Sequence, residues 1–225
     1  MSTAKDLFLI ALDQEPDRPV GQGDLSLALA GAELIDLLGA QAAALDGDRI
    51  VPGAETEPHD PLLAEAAAAL ARQVPYEGVE DWLWRRGRDL SATYRAALEE
   101  AGQLTRGRRG LLPFGSDRLE SADTPVRRRA RGRWEEGEPV LAALGAAVGI
   151  GGADADADAG AGAGAGGGGG GGAGADAGDR PGPGLPDEAV TTVLAVVDDA
   201  VTELAAVQQR RSIENAAFAN VWRVP

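Results

Sequence analysis

The chain has 225 residues, is 44% hydrophobic, contains no cysteine and carries a formal net charge of −15. Such a length makes one large domain or two small ones, and the lack of cysteine excludes disulfides, thiolate metal sites and a cysteine nucleophile. The charge is uneven: Arg85 to Arg133 holds 13 of the 21 basic residues with six acids, leaving 8 basic and 30 acidic residues elsewhere. A cationic stretch inside an acidic protein points to an anionic partner.

In chain order, Lys5 to Leu12 reads as a helix or strand, and its six-residue apolar run Leu7 to Leu12 is too short for a signal peptide. Pro16, Pro19, Gly21 and Gly23 form a loop, and Asp24 is the expected N-cap of a helix over Leu25 to Leu38. That helix is apolar on nearly every face, and Ala28, Ala30, Gly31 and Ala32 allow a close helical neighbour. Leu25 to Leu45 could span a bilayer in length, but Glu33 and Asp36 would each cost about 2–3 kcal/mol near its centre. The expectation is a buried helix and only peripheral membrane contact.

Asp46-Gly47 signals a hairpin turn into a short strand, Arg49 to Val51. Asp60-Pro61 opens a helix with an acidic cap and a proline at its first position, followed by apolar residues at helical spacing up to Ala71. Val79 to Arg86 has acids at its start and arginines at its end, as the helix dipole favours, and one of Trp82 and Trp84 should reach the core. Asp89 to Ala101 is a further helix, stopped by Gly102. Gln103 to Thr105 then forms a strand, Arg106 to Gly110 a turn, and Leu111 to Phe114 the returning strand. Arg106, Arg108 and Arg109 beside Leu111 and Leu112 suit a surface that is both anionic and apolar.

Thr124-Pro125 starts a helix carrying Arg127, Arg128, Arg129, Arg131 and Arg133, and Val140 to Val148 is a short helix of small residues. Residues 151–184 are Gly, Ala, Asp and Pro apart from Arg180, too poor in apolar bulk to offset their ordering entropy, and read as a flexible insert. Its Asp154, Asp156 and Asp158 lack the closing Glu of a calcium loop, so no metal site is expected. Asp187 to Val207 closes the bundle, with Phe218 and Trp222 anchoring the C-terminus.

Four segments resemble the Golgi phosphoprotein 3 family, or GPP34 domain. They are Phe8 to Asp13 with Leu27 to Asp36; His59 to Ala66, similar to the family's "GD-x-LLDEAL" signature; Trp82 within "VEDWLWR"; and Leu98 to Leu104, similar to "LVEKGVL". The resemblance runs from about Ala4 to Glu136. It implies a mainly α fold, a helical-bundle core with a projecting β-hairpin, as one GPP34-like domain over 4–225 interrupted by the insert. It also implies a non-enzyme without cofactor or metal: a cytoplasmic peripheral membrane protein that binds anionic, phosphatidylinositol 4-phosphate-like headgroups and sorts clients by their protein tails, with room for an oligomer through the hairpin.

By the resemblance, Arg88 takes the place of one headgroup arginine and Ser91 that of a second, while Gly21 and Ala30 stand where the family has a tryptophan and a basic ligand. Leu111 and Leu112 fall at the membrane-inserting tip. Arg85, Arg86 and Arg95 could rebuild a phosphate site around Arg88, since guanidinium forks match phosphate oxygens. Two other readings compete. One is a lipid-independent protein adaptor. The other is a winged-helix-like nucleic-acid binder, disfavoured because the −22 charge of the remaining chain would repel a phosphate backbone. No phosphate loop, catalytic triad or metal spacing occurs, so catalytic residues are not expected.

Overall fold

The computed structural model describes residues 2–14, 20–53, 58–106, 119–121, 124–151 and 187–221, with backbone alone at 105–106, 119–121 and 215–221. Among these residues the protein is mainly α-helical. Helix α1 is Thr3–Leu12 and α2 Gln22–Gly39; a hairpin of β1 (Ala43–Asp46) and β2 (Arg49–Pro52) follows. Then come α3 (Pro61–Ala68), α4 (Val79–Arg86), α5 (Leu90–Glu100), the pair β3 (Leu104–Arg106) and β4 (Leu119–Ser121), α6 (Pro125–Glu135), α7 (Pro139–Ala147) and α8 (Glu188–Val221).

Helix α2 is the axis of the bundle. Its residues from Leu25 to Ile35 are all buried, and α1, α3, α4, α5, α7 and α8 pack around it. The small side chains make this possible. A Cβ on Gly31 would lie 2.3 Å from Val197 of α8, so only glycine lets the two helices come this close. Trp82 is the buried member of the tryptophan pair. It is fully enclosed, and its Nε1–H donates to the Ala30 carbonyl at 3.1 Å, tying α4 to α2. Trp84 is half-buried. One hydrophobic cluster runs from Ala4 to Ala200.

Several boundaries follow local chemistry. Asp60 accepts from Leu62 N at 3.0 Å ahead of Pro61, Thr124 accepts from Arg127 N at 3.2 Å ahead of Pro125, and Gly102 ends α5 at φ 67°. Asp46 pairs with Arg49 across the first hairpin, with Gly47 at φ 61° in its turn. Other boundaries differ from expectation. Helix α2 starts at Gln22 with Gly21 as N-cap, so Asp24 lies within the first turn and caps nothing. Helix α8 does not stop near Val207 but continues to Val221, a length of 34 residues. Strand β3 pairs with Leu119–Ser121, Leu104 opposite Ser121 and Arg106 opposite Leu119, and not with Leu111 to Phe114 across a tight turn. Residues 107–118, which include Arg108, Arg109, Leu111 and Leu112, lie outside the described residues, as do the 152–184 part of the Gly-rich insert and Trp222. No described helix is long and apolar enough to cross a membrane.

Candidate functional site

The α4–α5 corner is built on residues that permit a close approach. A Cβ on Gly87 would stand 2.5 Å from the Leu83 carbonyl and 3.2 Å from that of Ser26, so glycine alone seats the corner against α2. Asp89 follows in the left-handed region at φ 56°, which Asp tolerates better than most residues. The first turn of α5 is then stitched to α2 by two hydroxyls. Ser91 N donates to Ser26 Oγ at 3.0 Å, Ser26 Oγ–H donates to the Gln22 carbonyl at 2.7 Å, and Ser91 Oγ–H donates to the same carbonyl at 3.3 Å.

Beside this stitch lies an open groove of about 400 Å³, whose walls include Gln22, Gly23, Ser26, Trp84, Arg88 and Leu204. Gly23 admits α8 here: a Cβ on it would meet Leu204 at 2.8 Å. Arg88 is exposed and, among the described residues, forms no hydrogen bond or ion pair. The groove also meets the N-terminus of α2, an 18-residue helix whose Gly21 cap supplies no side-chain acceptor. The start of α2, where the dipole is positive, and Arg88 therefore border the same groove. Asp24 and Asp89 offset part of that potential. Burial pushes the Asp24 carboxyl above its usual range, and one of its oxygens is buried without a hydrogen-bond partner.

The other expected headgroup ligands are engaged elsewhere. Arg85 forks onto Glu77 at 2.6 and 2.7 Å, donates to the Ala69 carbonyl at 3.0 Å and stacks 5.2 Å above the Trp82 ring. Glu77 and the indole hold its charge, so it does not join Arg88. Arg86 points inward and forks onto Glu33 at 2.7 and 3.0 Å, while the Tyr94 hydroxyl donates to Glu33 at 3.0 Å. Glu33 is fully enclosed; burial raises its pKa, and the Arg86 and Tyr94 hydrogen bonds oppose that rise. The same burial, beside the Glu33 charge, drives the Tyr94 hydroxyl pKa upward. Arg95 is half-buried one turn beyond Ser91, and its Nε has no partner. Of the four arginines, only Arg88 lines the groove.

One departure from the family pattern has a structural reason. Ala30 is completely buried beneath Trp82, leaving no room for a basic chain. Gly21 is the α2 cap, where a Cβ would meet only the Asp24 side chain, which can turn aside, so that position is not closed to a larger residue. The arginines of α6 are bound to acids of α1. Arg127 and Arg131 hold Asp13, the latter at 3.1 Å, while Arg129 and Arg133 hold the enclosed Asp6 at 3.0 and 2.5 Å. Much of the cationic surplus of residues 85–133 is thus satisfied inside the molecule. Arg106 ends β3, where only its backbone is described, and the remaining tip residues lie outside the described set.

Sequence reasoning missed Gln22, Gly23, Ser26 and Leu204 as groove walls. The one local signal was the Gln22–Ser26 spacing of one helical turn; Leu204 is brought in by α8 from the far end of the chain. No curated protein matches the chain. A family model described as Golgi phosphoprotein 3 (GPP34) matches residues 4–162, which contain the α2 hub, the α4–α5 corner and both strand pairs. The chain belongs to the Golgi phosphoprotein 3 (GPP34) family.

Proposed function

We propose that the protein is a peripheral membrane-binding module, not an enzyme, that takes the phosphate of an anionic lipid headgroup in the groove beside Arg88. The observation that carries this reading is the exposed Arg88 guanidinium, unpaired among the described residues, beside an α2 start whose cap residue supplies no side-chain acceptor. A helix N-terminus and a guanidinium fork are complementary to the same phosphate oxygens. Ser26, Ser91 and Trp84 line the same groove; Trp84 supplies an apolar wall, while both serine hydroxyls are already given to the Gln22 carbonyl. With one arginine in place of a cluster, the groove suits an anionic headgroup in general more than one particular phosphoinositide. Arg106, Arg108, Arg109, Leu111 and Leu112 supply the second contact with the bilayer, the arginines near its charged surface and the leucines below it.

Sedimentation with liposomes tests the proposal. The wild type is expected to pellet with anionic vesicles and not with neutral ones. Arg88→Glu should abolish pelleting without changing the thermal midpoint, because Arg88 holds no described structural contact. Leu111→Asp combined with Leu112→Asp should do the same through the tip. Equal pelleting of wild type and Arg88→Glu would remove the groove from the account. Loss of all vesicle binding, with a protein client still captured, would favour the lipid-independent adaptor.

A further inference from the structure

The α4–α5 corner sets two opposite charges side by side. Arg88 and Asp89 are consecutive and exposed, and both border the groove that meets the start of α2. They do not pair with each other, and among the described residues neither side chain holds a hydrogen bond or an ion pair. For Asp89 this is unusual. Aspartate is a favoured N-cap because its carboxylate accepts from the first-turn amides, with the cap residue in an extended conformation. Asp89 is the N-cap of α5, but it stands at φ 56° and ψ 19°, and its carboxylate caps nothing. Its backbone carbonyl accepts from Ala92 N and Thr93 N at 3.0 and 3.1 Å instead. The carboxylate is left over beside the groove.

The two side chains cancel in charge and differ in what they need. A guanidinium only donates, and a carboxylate only accepts. One ligand satisfies both if it brings a phosphate oxygen to Arg88 and a hydrogen-bond donor to Asp89. A phosphodiester of a polyol does so, with a single negative charge and free hydroxyls. A headgroup with an additional phosphomonoester fits worse. That group adds a charge of about −1.5 to −2 at neutral pH, and an unpaired carboxylate repels it. An ammonium headgroup also donates, but it needs three acceptors where a hydroxyl needs one. Among the described residues along the groove, Asp89 is the one carboxylate.

We infer that Asp89 sets the headgroup class of the groove: it selects a polyol phosphodiester, with Arg88 on the phosphate and Asp89 on a hydroxyl, against headgroups that carry a further phosphomonoester. The inference rests on the proposed headgroup-binding role of the groove. It adds that the role of Asp89 is read in the ratio between lipids and not in total membrane affinity.

Sedimentation of the full chain with three sets of vesicles, matched in surface charge, tests it. They contain phosphatidylglycerol, phosphatidylserine or phosphatidylinositol 4-phosphate in neutral lipid. The wild type is expected to bind the glycerol headgroup about fivefold more tightly than either of the others, the effect of about one charge at the surface. Asp89→Asn and Asp89→Gly both tolerate the positive φ and both remove the carboxylate charge. Each should bind phosphoinositide vesicles more tightly than the wild type does and bring the ratio between glycerol and phosphoinositide lipids within about twofold. Because the variants gain binding, a damaged fold cannot imitate the result. A wild type that binds the serine lipid or the phosphoinositide as tightly as the glycerol lipid overturns the inference and leaves anion binding by the groove intact. Variants that keep the wild-type ratio, or that both lose all binding, overturn it too, since Asp89 would then serve the corner alone. Wild-type binding to none of the three vesicles overturns the headgroup reading as well.

Discussion

Asp36 shows how a single half-buried carboxylate couples the two N-terminal helices to pH. It lies on α2 against the start of α1 and accepts from Ala4 N at 3.4 Å. Burial raises its pKa from 3.8 to about 6, against the opposing hydrogen bonds from Thr3, Ala4 and Ser2. The sign follows from the direction. The folded state holds this proton more tightly than the unfolded chain, so the group's contribution to stability is full below about pH 3.8 and is lost as pH rises through 6. At 1.36 kcal/mol per pKa unit the whole effect is about 3 kcal/mol. Asp36→Asn keeps an acceptor for the α1 amides and removes the charge. The variant should match the wild type in urea midpoint at pH 4 and exceed it at pH 7. An equal difference at both values would show that the proton on Asp36 is not linked to folding. Glu33 is the contrasting case, since Arg86 and Tyr94 supply the partners that Asp36 finds only among backbone amides and hydroxyls.

At the scale of elements, the decisive contact is the one between α2 and α8. Gly31 has no room for a methyl group, because its Cβ would fall 2.3 Å from Val197 Cγ2. Gly31→Ala should therefore destabilise by about 1–3 kcal/mol through overpacking. Val197→Ala removes the obstructing methyl, so the double variant should be more stable than the two single losses added together, by on the order of 1 kcal/mol. Chemical denaturation of the four proteins measures this, and strict additivity would place the strain elsewhere. The same elements show what can be read from sequence. Asp60-Pro61, Asp46-Gly47, Thr124-Pro125 and Gly102 are legible because each boundary is decided within four residues by a cap or a turn conformation. Asp24 misleads because a helix whose side is buried can begin a turn earlier than its best cap, at Gln22 behind a glycine. The return of β3 misleads because hairpin register depends on pairing across an interval that contains no strong turn dipeptide. The extension of α8 is hidden because Arg211 and Glu214 interrupt the apolar pattern that marks a helix against a bundle.

Charge is where the whole molecule departs furthest from its linear sequence. A surplus of seven positive charges between Arg85 and Arg133 reads as one cationic face. The fold neutralises most of it internally, across separations such as the 114 residues between Asp13 and Arg127, which no local pattern reports. Arg88 is recognisable by family resemblance, but its isolation in the groove follows only from where Glu77, Glu33, Asp6 and Asp13 lie in three dimensions. Membrane affinity should then depend on few cations. Arg131 is half-exposed yet paired with Asp13, so Arg131→Gln should leave the affinity for anionic vesicles unchanged within about twofold. Arg88→Gln should lower it about fivefold, the equivalent of about 1 kcal/mol for one cation at an anionic surface. The two variants also differ in their salt response. Added salt screens an exposed guanidinium at the lipid surface, so the gap between wild type and Arg88→Gln should close as ionic strength rises above the physiological range. Vesicle affinities at two ionic strengths would measure both effects. A loss for Arg131→Gln as large as that for Arg88→Gln would mean that the α6 arginines leave their carboxylates to meet the membrane, and that the binding surface lies along α6 and not in the groove.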